Sequence, residues 1–337
     1  MKIFVTGNTG YVGSIMSEML LEKKLDVLGM DMNFFPQDFV PISNSIETIT
    51  KDIRDLNEND IQGCDAVIHL AGLSNDPLGQ LNPSLTNDIN FNATIRLAKL
   101  SKKIGIKKFI FSSSCSTYGV NEDVVTENSA LSPLTAYAKS KVDSEQELLK
   151  LHDENFAPVI LRNATVFGIS PSQRLDIVVN NLTSSAYATG KVKLLSDGTS
   201  WRPLIHVKDM CSAFIQCVLT EENVAGEIFN VGSNDQNYLV RDVAEIIEKT
   251  IPDSEISFSK NANKDSRSYR VNFDKIYEKL GFTTQFDLKY GVDELYRIFK
   301  EKNFDEENFK DKKFNRMNYI EWLLEHGKIN NELRKIF

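Results

Sequence analysis

Apolar and polar positions along this chain alternate between two periods. Short, mostly apolar runs (KIFVTG, LDVLGMD, SIETIT, DAVIHLAG, KKFIFSSS and APVILRN) predict six buried strands. Between them, apolar residues recur at helical spacing, as Ile15, Met16, Met19 and Leu20 do after the first run. Longer helical patterns cover about Pro83 to Lys103 and TAYAKSKVDSEQELLKLH. Strands alternating with helices predict an α/β fold with a doubly wound parallel sheet. Its crossovers should be right-handed. Past Gly168 the rhythm breaks. A helix is expected near Asp176 to Thr189, with short strands near Val192 to Leu195 and Glu227 to Val231. The organisation read from this is a domain over 1–168, to which part of 203–231 returns, and a smaller α/β substrate lobe over 169–300. A helical extension follows over 301–337, with Trp322, Leu323 and Leu324 on the apolar side of a packed helix.

The length, 337 residues, exceeds what one core usually serves, which agrees with two lobes. The net charge of −8, without a basic stripe, argues against a general nucleic-acid binder. An anionic ligand must then be met by a few local arginines. Four cysteines form no CxxC pair and four histidines no HxxxH pair, so neither zinc nor a disulfide framework is expected. No apolar stretch approaches the roughly 20 residues of a membrane span. MKIFVTG passes straight into a strand pattern without a leader. Unpaired thiols fit a reducing compartment. The expected location is the cytoplasm.

The first turn carries the strongest local chemistry. TGNTGYVG places Gly7, Gly10 and Gly13 between a strand and a helix. Glycine serves there because the backbone must turn tightly and approach a pyrophosphate, and the helix N-terminus offers free N–H groups. This is the context a Rossmann dinucleotide loop requires. Asp31 ends the second strand, where a carboxylate accepts from ribose hydroxyls and repels a 2′-phosphate. No Lys or Arg lies between Asp31 and Lys51, which favours NAD over NADP. Asp52, after the third strand, is placed to face the adenine amine, with Ile53 beside it; a capping role is the competing reading. In TAYAKSK, Tyr137 precedes Lys141 by one helical turn. A free tyrosine has a pKa near 10, and a lysine on the same face favours tyrosinate. Such a phenolate can take a proton from a substrate hydroxyl. Thr6, Asp31, Asp52, Ala71, Ser114 and Thr165 all fall at or just after predicted strand ends, where open α/β sheets bind ligands.

TGNTGYVG, HLAGL, FIFSSSCSTYG, YAKSK and RPLIHVKD together resemble the extended short-chain dehydrogenases/reductases, and within them the NAD-dependent nucleotide-sugar epimerases and dehydratases such as the UDP-glucose 4-epimerases. The resemblance runs to about residue 300. It implies Tyr137 as catalytic acid/base, Lys141 as its partner and Ser114 as the hydroxyl that fixes the substrate oxygen. It implies cofactor contacts at Gly7, Thr9, Gly10, Tyr11, Val12, Gly13, Asp31, Asp52, Ile53, Leu70, Ala71, Gly72, Tyr137 and Lys141, with Asn90 as a supporting asparagine. Substrate contacts fall on Ser74, Ser114, Cys115, Thr165, Asn181, Arg202 and Arg267, with Arg270 as a further candidate. Arg202 resembles the arginine that grips the sugar-nucleotide diphosphate. The ligand implied is a nucleotide-diphosphate sugar, and the assembly a homodimer through the helices at about Pro83 to Lys103 and Ala136 to His152.

Three departures narrow the chemistry. Dehydratases of the family carry Asp and Glu directly after the Ser/Thr, where this chain has Cys115 and Ser116, so dehydration is disfavoured. The asparagine usual after the sixth strand is replaced by Thr165. LAGLSNDP leaves the epimerase pattern after Leu73, with Ser74 and Asn75 near the expected sugar, and Ser170 to Asn181 is expected to line the pocket. The leading expectation is a nucleotide-sugar 4-epimerase. The alternatives are a C4 dehydrogenase or 4-keto reductase using the same residues, and a non-catalytic NAD sensor.

Overall fold

The computed structural model describes residues 1–44, 46–74, 76–263 and 268–336. Strands β1 (Lys2–Thr6), β2 (Asp26–Asp31), β3 (Glu47–Thr50), β4 (Ala66–His69) and β5 (Lys108–Ser114) stand where the apolar runs predict them. Then come β6 (Val120–Val125), β7 (Ala157–Asn163), β8 (Thr165–Phe167), β9 (Lys191–Ser196), β10 (Trp201–His206) and β11 (Ile228–Val231). Three further strands, β12 (Asn237–Leu239), β13 (Glu255–Asn263) and β14 (Ser268–Val271), complete the set among the described residues.

Seven strands make one parallel sheet in the order β11-β7-β5-β4-β1-β2-β3. Its order reverses between β1 and β4, and a crevice opens there at the carboxyl ends. Strand β11 lies in this sheet beside β7. The remaining strands pair in small sheets: β12-β10-β8, β13-β9 and β14-β6.

Alternation along β1 explains the two cores. Ile3 and Val5 point to one face, with Met16 and Leu20 of the helix Tyr11–Glu22 and Phe214 and Val218 of the helix Val207–Leu219. Phe4 points to the other face, with Val67, Phe109, Leu97 and Leu148. Burying each such side chain contributes about 1.5–3 kcal/mol. A third cluster, including Val179, Leu182, Leu295 and Phe299, underlies the later lobe. The end of the chain packs on the second face of the main sheet: Ile320, Leu323 and Leu333 share its cluster. That places the C-terminal segment over the main sheet.

The long helix predicted from Pro83 to Lys103 is interrupted. Pro83–Thr86 is α-helical, Asn87–Asn92 widens to a π-helix, and Ala93–Lys103 resumes the α form. Such π segments mark positions where a side chain must be re-aimed. Here that side chain is Asn90.

Candidate active site

A cavity of about 500 Å³ runs along the carboxyl ends of the main sheet. At one end lies the glycine loop. Gly7 has φ +74°, and a Cβ on it would come within 2.9 Å of the Ala71 amide nitrogen. A Cβ on Gly13 would meet the Gly7 carbonyl oxygen at 1.9 Å. The turn therefore exists only with glycine at both positions. Gly10 caps the helix Tyr11–Glu22 without a side-chain hydrogen bond, and no acid sits in its first turn. This leaves the N-terminal N–H groups and the positive dipole end for an anion. Tyr11 and Val12 line the cavity beside Gly7, Gly10 and Gly13. The Tyr11 hydroxyl donates to the Gly168 carbonyl at 2.7 Å, and the Ser170 hydroxyl donates to the Tyr11 carbonyl at 2.7 Å. Tyr11 thus ties the glycine loop to the Gly168–Arg174 loop.

Asp31 is half-buried at the end of β2 and accepts from the backbone N–H of Asn33 at 2.9 Å and of Thr9 at 3.3 Å. Burial raises its pKa despite these bonds, so further donors from a ribose would stabilise its charge. Thr9 serves Asp31 from its own backbone and does not line the cavity. Asp52 and Ile53 do line it. Both Asp52 oxygens are engaged by Arg54, at 2.9 Å from Nε and 2.6 Å from Nη2. Burial opposes ionisation of Asp52, but the bonds from Arg54 prevail and its pKa is lowered. Asp52 caps the short helix Ile53–Asp55, accepting from the Arg54 amide at 2.8 Å, and also lines the cavity.

Leu70, Ala71 and Gly72 form the cavity wall at the end of β4. The Thr6 hydroxyl holds this turn by accepting from the Leu70 and Ala71 amides, both at 3.2 Å. Asn90 lies behind it. Its Oδ1 accepts from the Leu73 amide at 2.7 Å and its Nδ2 donates to the Leu73 carbonyl at 3.1 Å. Asn90 positions the wall and does not line the cavity.

At the centre, Ser114 ends β5 and faces Tyr137, and the two hydroxyls hydrogen-bond. Thr135 caps the helix Ala136–Leu151, accepting from the Ala138 amide at 3.1 Å and donating to Asp76 at 2.6 Å. The cap fixes Tyr137 in the first turn and Lys141 one turn on. Lys141 Nζ donates to the Ser112 carbonyl at 2.7 Å and lies 5.7 Å from the Tyr137 ring centroid.

The electrostatics correct a sequence expectation. Burial, then the Asp76 charge, pushes the Tyr137 phenol up to about 12, against lowering by the Ser114 bond and Arg174. Burial pushes Lys141 down to about 8.

Ser74, Thr165 and Arg202 line the far end of the cavity. Arg202 donates to the Trp201 carbonyl at 2.7 Å and sits 6.0 Å from the Tyr269 ring centroid. Cys115 is corrected by the structure. Its thiol donates to the Arg162 carbonyl at 3.2 Å inside the core, and burial raises its pKa. Asn181 is likewise away from the cavity, its amide donating to the Leu175 carbonyl at 2.8 Å. Arg270 donates to the Glu122 carbonyl at 3.0 Å and does not line the cavity. Arg267 and Asn75 lie outside the described residues.

Three residues that the sequence did not single out belong to the site. Arg174 pairs with Asp176 through Nε at 2.8 Å and reaches Ser74 at 3.2 Å. Asn163 donates to the Ser113 carbonyl at 2.9 Å, while its Oδ1 is buried without a hydrogen-bond partner. Arg316, from the C-terminal helix, also lines the cavity. Of these only Arg174 lay in a segment expected to line the pocket. Of the five buried side-chain atoms without a partner among the described residues, three (Ser116 Oγ, Asn163 Oδ1 and Arg316 Nη1) belong to residues lining this cavity. Buried polar groups are normally satisfied, so these atoms point to a polar ligand.

A parallel sheet in Rossmann order, a glycine cradle that a Cβ would fill and a Ser–Tyr–Lys set facing it define a dinucleotide-dependent oxidoreductase-type site. The chain belongs to the NAD dependent epimerase/dehydratase family, whose model matches residues 3–232. It is an enzyme of that family, and its cofactor is NAD. It is 30% identical over 288 residues to the UDP-glucose 4-epimerase of Bacillus subtilis, covering 74% of this chain and 82% of that one. It is 29% identical over 314 residues to a putative UDP-glucose 4-epimerase of Methanocaldococcus jannaschii, covering 89% and 99%. The UDP-glucuronic acid 4-epimerase of Bacillus cereus, solved with UDP-glucuronic acid and NAD, superposes with a TM-score of 0.79 at 25% identity, covering 89% and 99%. No helix among the described residues is long and apolar enough to cross a membrane, and none of their His, Cys, Asp and Glu side chains form a metal-holding group.

Proposed function

We propose that this enzyme is a nucleotide-diphosphate-sugar 4-epimerase. The observation that carries the reading is the Ser114–Tyr137 pair at the cavity centre, with no carboxylate on the two residues after Ser114. Ser114 holds the C4 oxygen of the sugar. Tyr137, as phenolate, takes the proton from that hydroxyl and later returns it to the same oxygen. Lys141, pinned to the Ser112 carbonyl, would orient the nicotinamide ribose. The glycine loop holds the pyrophosphate and Asp31 the adenosine ribose. When bound, NAD would supply a reversible hydride acceptor and a positive nicotinamide ring beside the phenol. Inversion then needs the 4-keto sugar to present its other face. Arg202 and Arg174 are placed to meet the sugar-nucleotide diphosphate, with Ser116 and Asn163 offering unsatisfied atoms to sugar hydroxyls.

Named relatives act on UDP-glucose and UDP-glucuronate, which makes UDP sugars the first substrates to try. The test is incubation with UDP-glucose, UDP-glucuronate and UDP-N-acetylglucosamine, with products read by NMR and reduced cofactor by absorbance. A C4 epimer without accumulating reduced cofactor, lost by about 10²–10⁴-fold in Tyr137→Phe, supports the reading. A 4-keto sugar formed together with stoichiometric reduced cofactor makes the protein a dehydrogenase and ends it. The same reading includes a cytoplasmic homodimer through the helices Ala93–Lys103 and Ala136–Leu151. Light scattering at micromolar concentration tests its mass, and a monomer would remove that part.

A further inference from the structure

The C-terminal segment reaches back across the cofactor end of the cavity. Arg316 opens the helix Arg316–Glu325 and is only 3% exposed. Its guanidinium lies 4.0 Å from the Phe35 ring centroid. Its Nη2 donates to the Ser172 carbonyl at 2.9 Å and to the Ser172 hydroxyl at 2.8 Å. Its Nη1 is buried and has no partner among the described residues. The residue shares the cavity wall with Gly10, Tyr11, Val12 and Asp31.

Burial and then the neighbouring Arg174 push Arg316 down to about 9, against the pull of Asp176 and Asp31. Asp176 is already paired with Arg174. A buried guanidinium with a spare N–H fork and a second cation nearby is stabilised by an anion, bound through charge-assisted hydrogen bonds. The groups that sense Arg316 include Asp31 and Tyr11, which belong to the cofactor end. Arg202 and Thr165 mark the other end. The tail is tied down further along as well. Arg54 Nη2 donates to the Glu332 carbonyl at 2.8 Å, and Arg334 bridges to Asp55. Ile320 and Leu333 line the same cavity.

We infer that Arg316 is a ligand for the cofactor's pyrophosphate, delivered by a C-terminal clasp over residues 311–336 that closes the adenosine half of the site. The inference rests on NAD as the cofactor. A clasp of this kind suits an enzyme that must keep its cofactor through the catalytic cycle.

The test uses the full-length protein stripped of cofactor, with Arg316→Gln and Arg316→Lys, titrated calorimetrically with ADP-ribose, adenosine and UDP. Arg316→Gln should lose about 10- to 100-fold in ADP-ribose affinity while adenosine changes less than about twofold. Arg316→Lys should recover part of the loss, and the NAD content of Arg316→Gln as purified should fall. Unchanged ADP-ribose affinity would overturn the inference. So would an equal loss for adenosine and ADP-ribose, which would make Arg316 a packing residue, or a loss confined to UDP, which would assign it to the substrate. Wild-type protein that fails to bind ADP-ribose would remove the cofactor reading itself.

Discussion

Tyr137 should stay protonated in the cofactor-free protein far above neutral pH. Its phenol stands at about 12 against an ordinary 10, first because it is buried and then because Asp76 faces it. Two units correspond to about 3 kcal/mol in favour of the neutral form. At pH 8 the ionised fraction is then on the order of 10⁻⁴. Lys141 does little to oppose this, since its Nζ is engaged by the Ser112 carbonyl at 2.7 Å and burial lowers its own pKa to about 8. The sign for stability follows. A group whose folded pKa lies above its unfolded value stabilises the fold fully below pH 10, and that contribution fades as pH rises toward 12. The assay is the tyrosinate absorbance difference between wild type and Tyr137→Phe across pH, both free of cofactor. No Tyr137-dependent step is expected below about pH 10, and Asp76→Asn should move the step downward. A step between pH 6 and 9 in the cofactor-free enzyme would refute the reasoning, because Lys141 would then outweigh burial and Asp76.

Other consequences follow from the same geometry. Gly13→Ala would place a Cβ 1.9 Å from the Gly7 oxygen, so the loop must shift by more than about 1 Å; NAD affinity by fluorescence titration should fall at least ~100-fold. All four cysteines are buried, so a thiol reagent should label none in the native enzyme and all four after denaturation; native labelling of Cys115 with loss of activity would contradict its inward placement. Lys141 has a lowered folded pKa, so between about pH 8 and the unfolded value near 10.5 the unfolded chain binds the extra proton. Chemical denaturation should therefore show wild type gaining stability relative to Lys141→Met as pH rises through that window, by at most about 3 kcal/mol.

The parts of this protein written in consecutive residues were legible in its sequence. The glycine loop, six strands of the main sheet and the Tyr137–Lys141 turn each depend on local period and local steric need. Placement across long separations was not. Arg316 lies about 300 residues from the glycine loop it faces, and nothing in the pattern around it marks it as buried. Strand β11 reads like any short strand, and only its pairing with β7 puts it in the main sheet. Cys115 follows Ser114 directly, but the chain turns into a short 3₁₀ helix there and sends the thiol into the core. The clamp of Arg54 on Asp52, two residues apart, exists only in the turn the structure shows.

The central claim is that hydride leaves and re-enters the same sugar carbon. It is tested most directly with a UDP sugar carrying deuterium at C4, converted by the enzyme and analysed by NMR and mass spectrometry. The account expects deuterium retained at C4 of a product with inverted C4 configuration, without exchange into water. Deuterium found at C6 of a 4-keto product would show dehydration, and deuterium left in released reduced cofactor would show net oxidation; either result contradicts the epimerase.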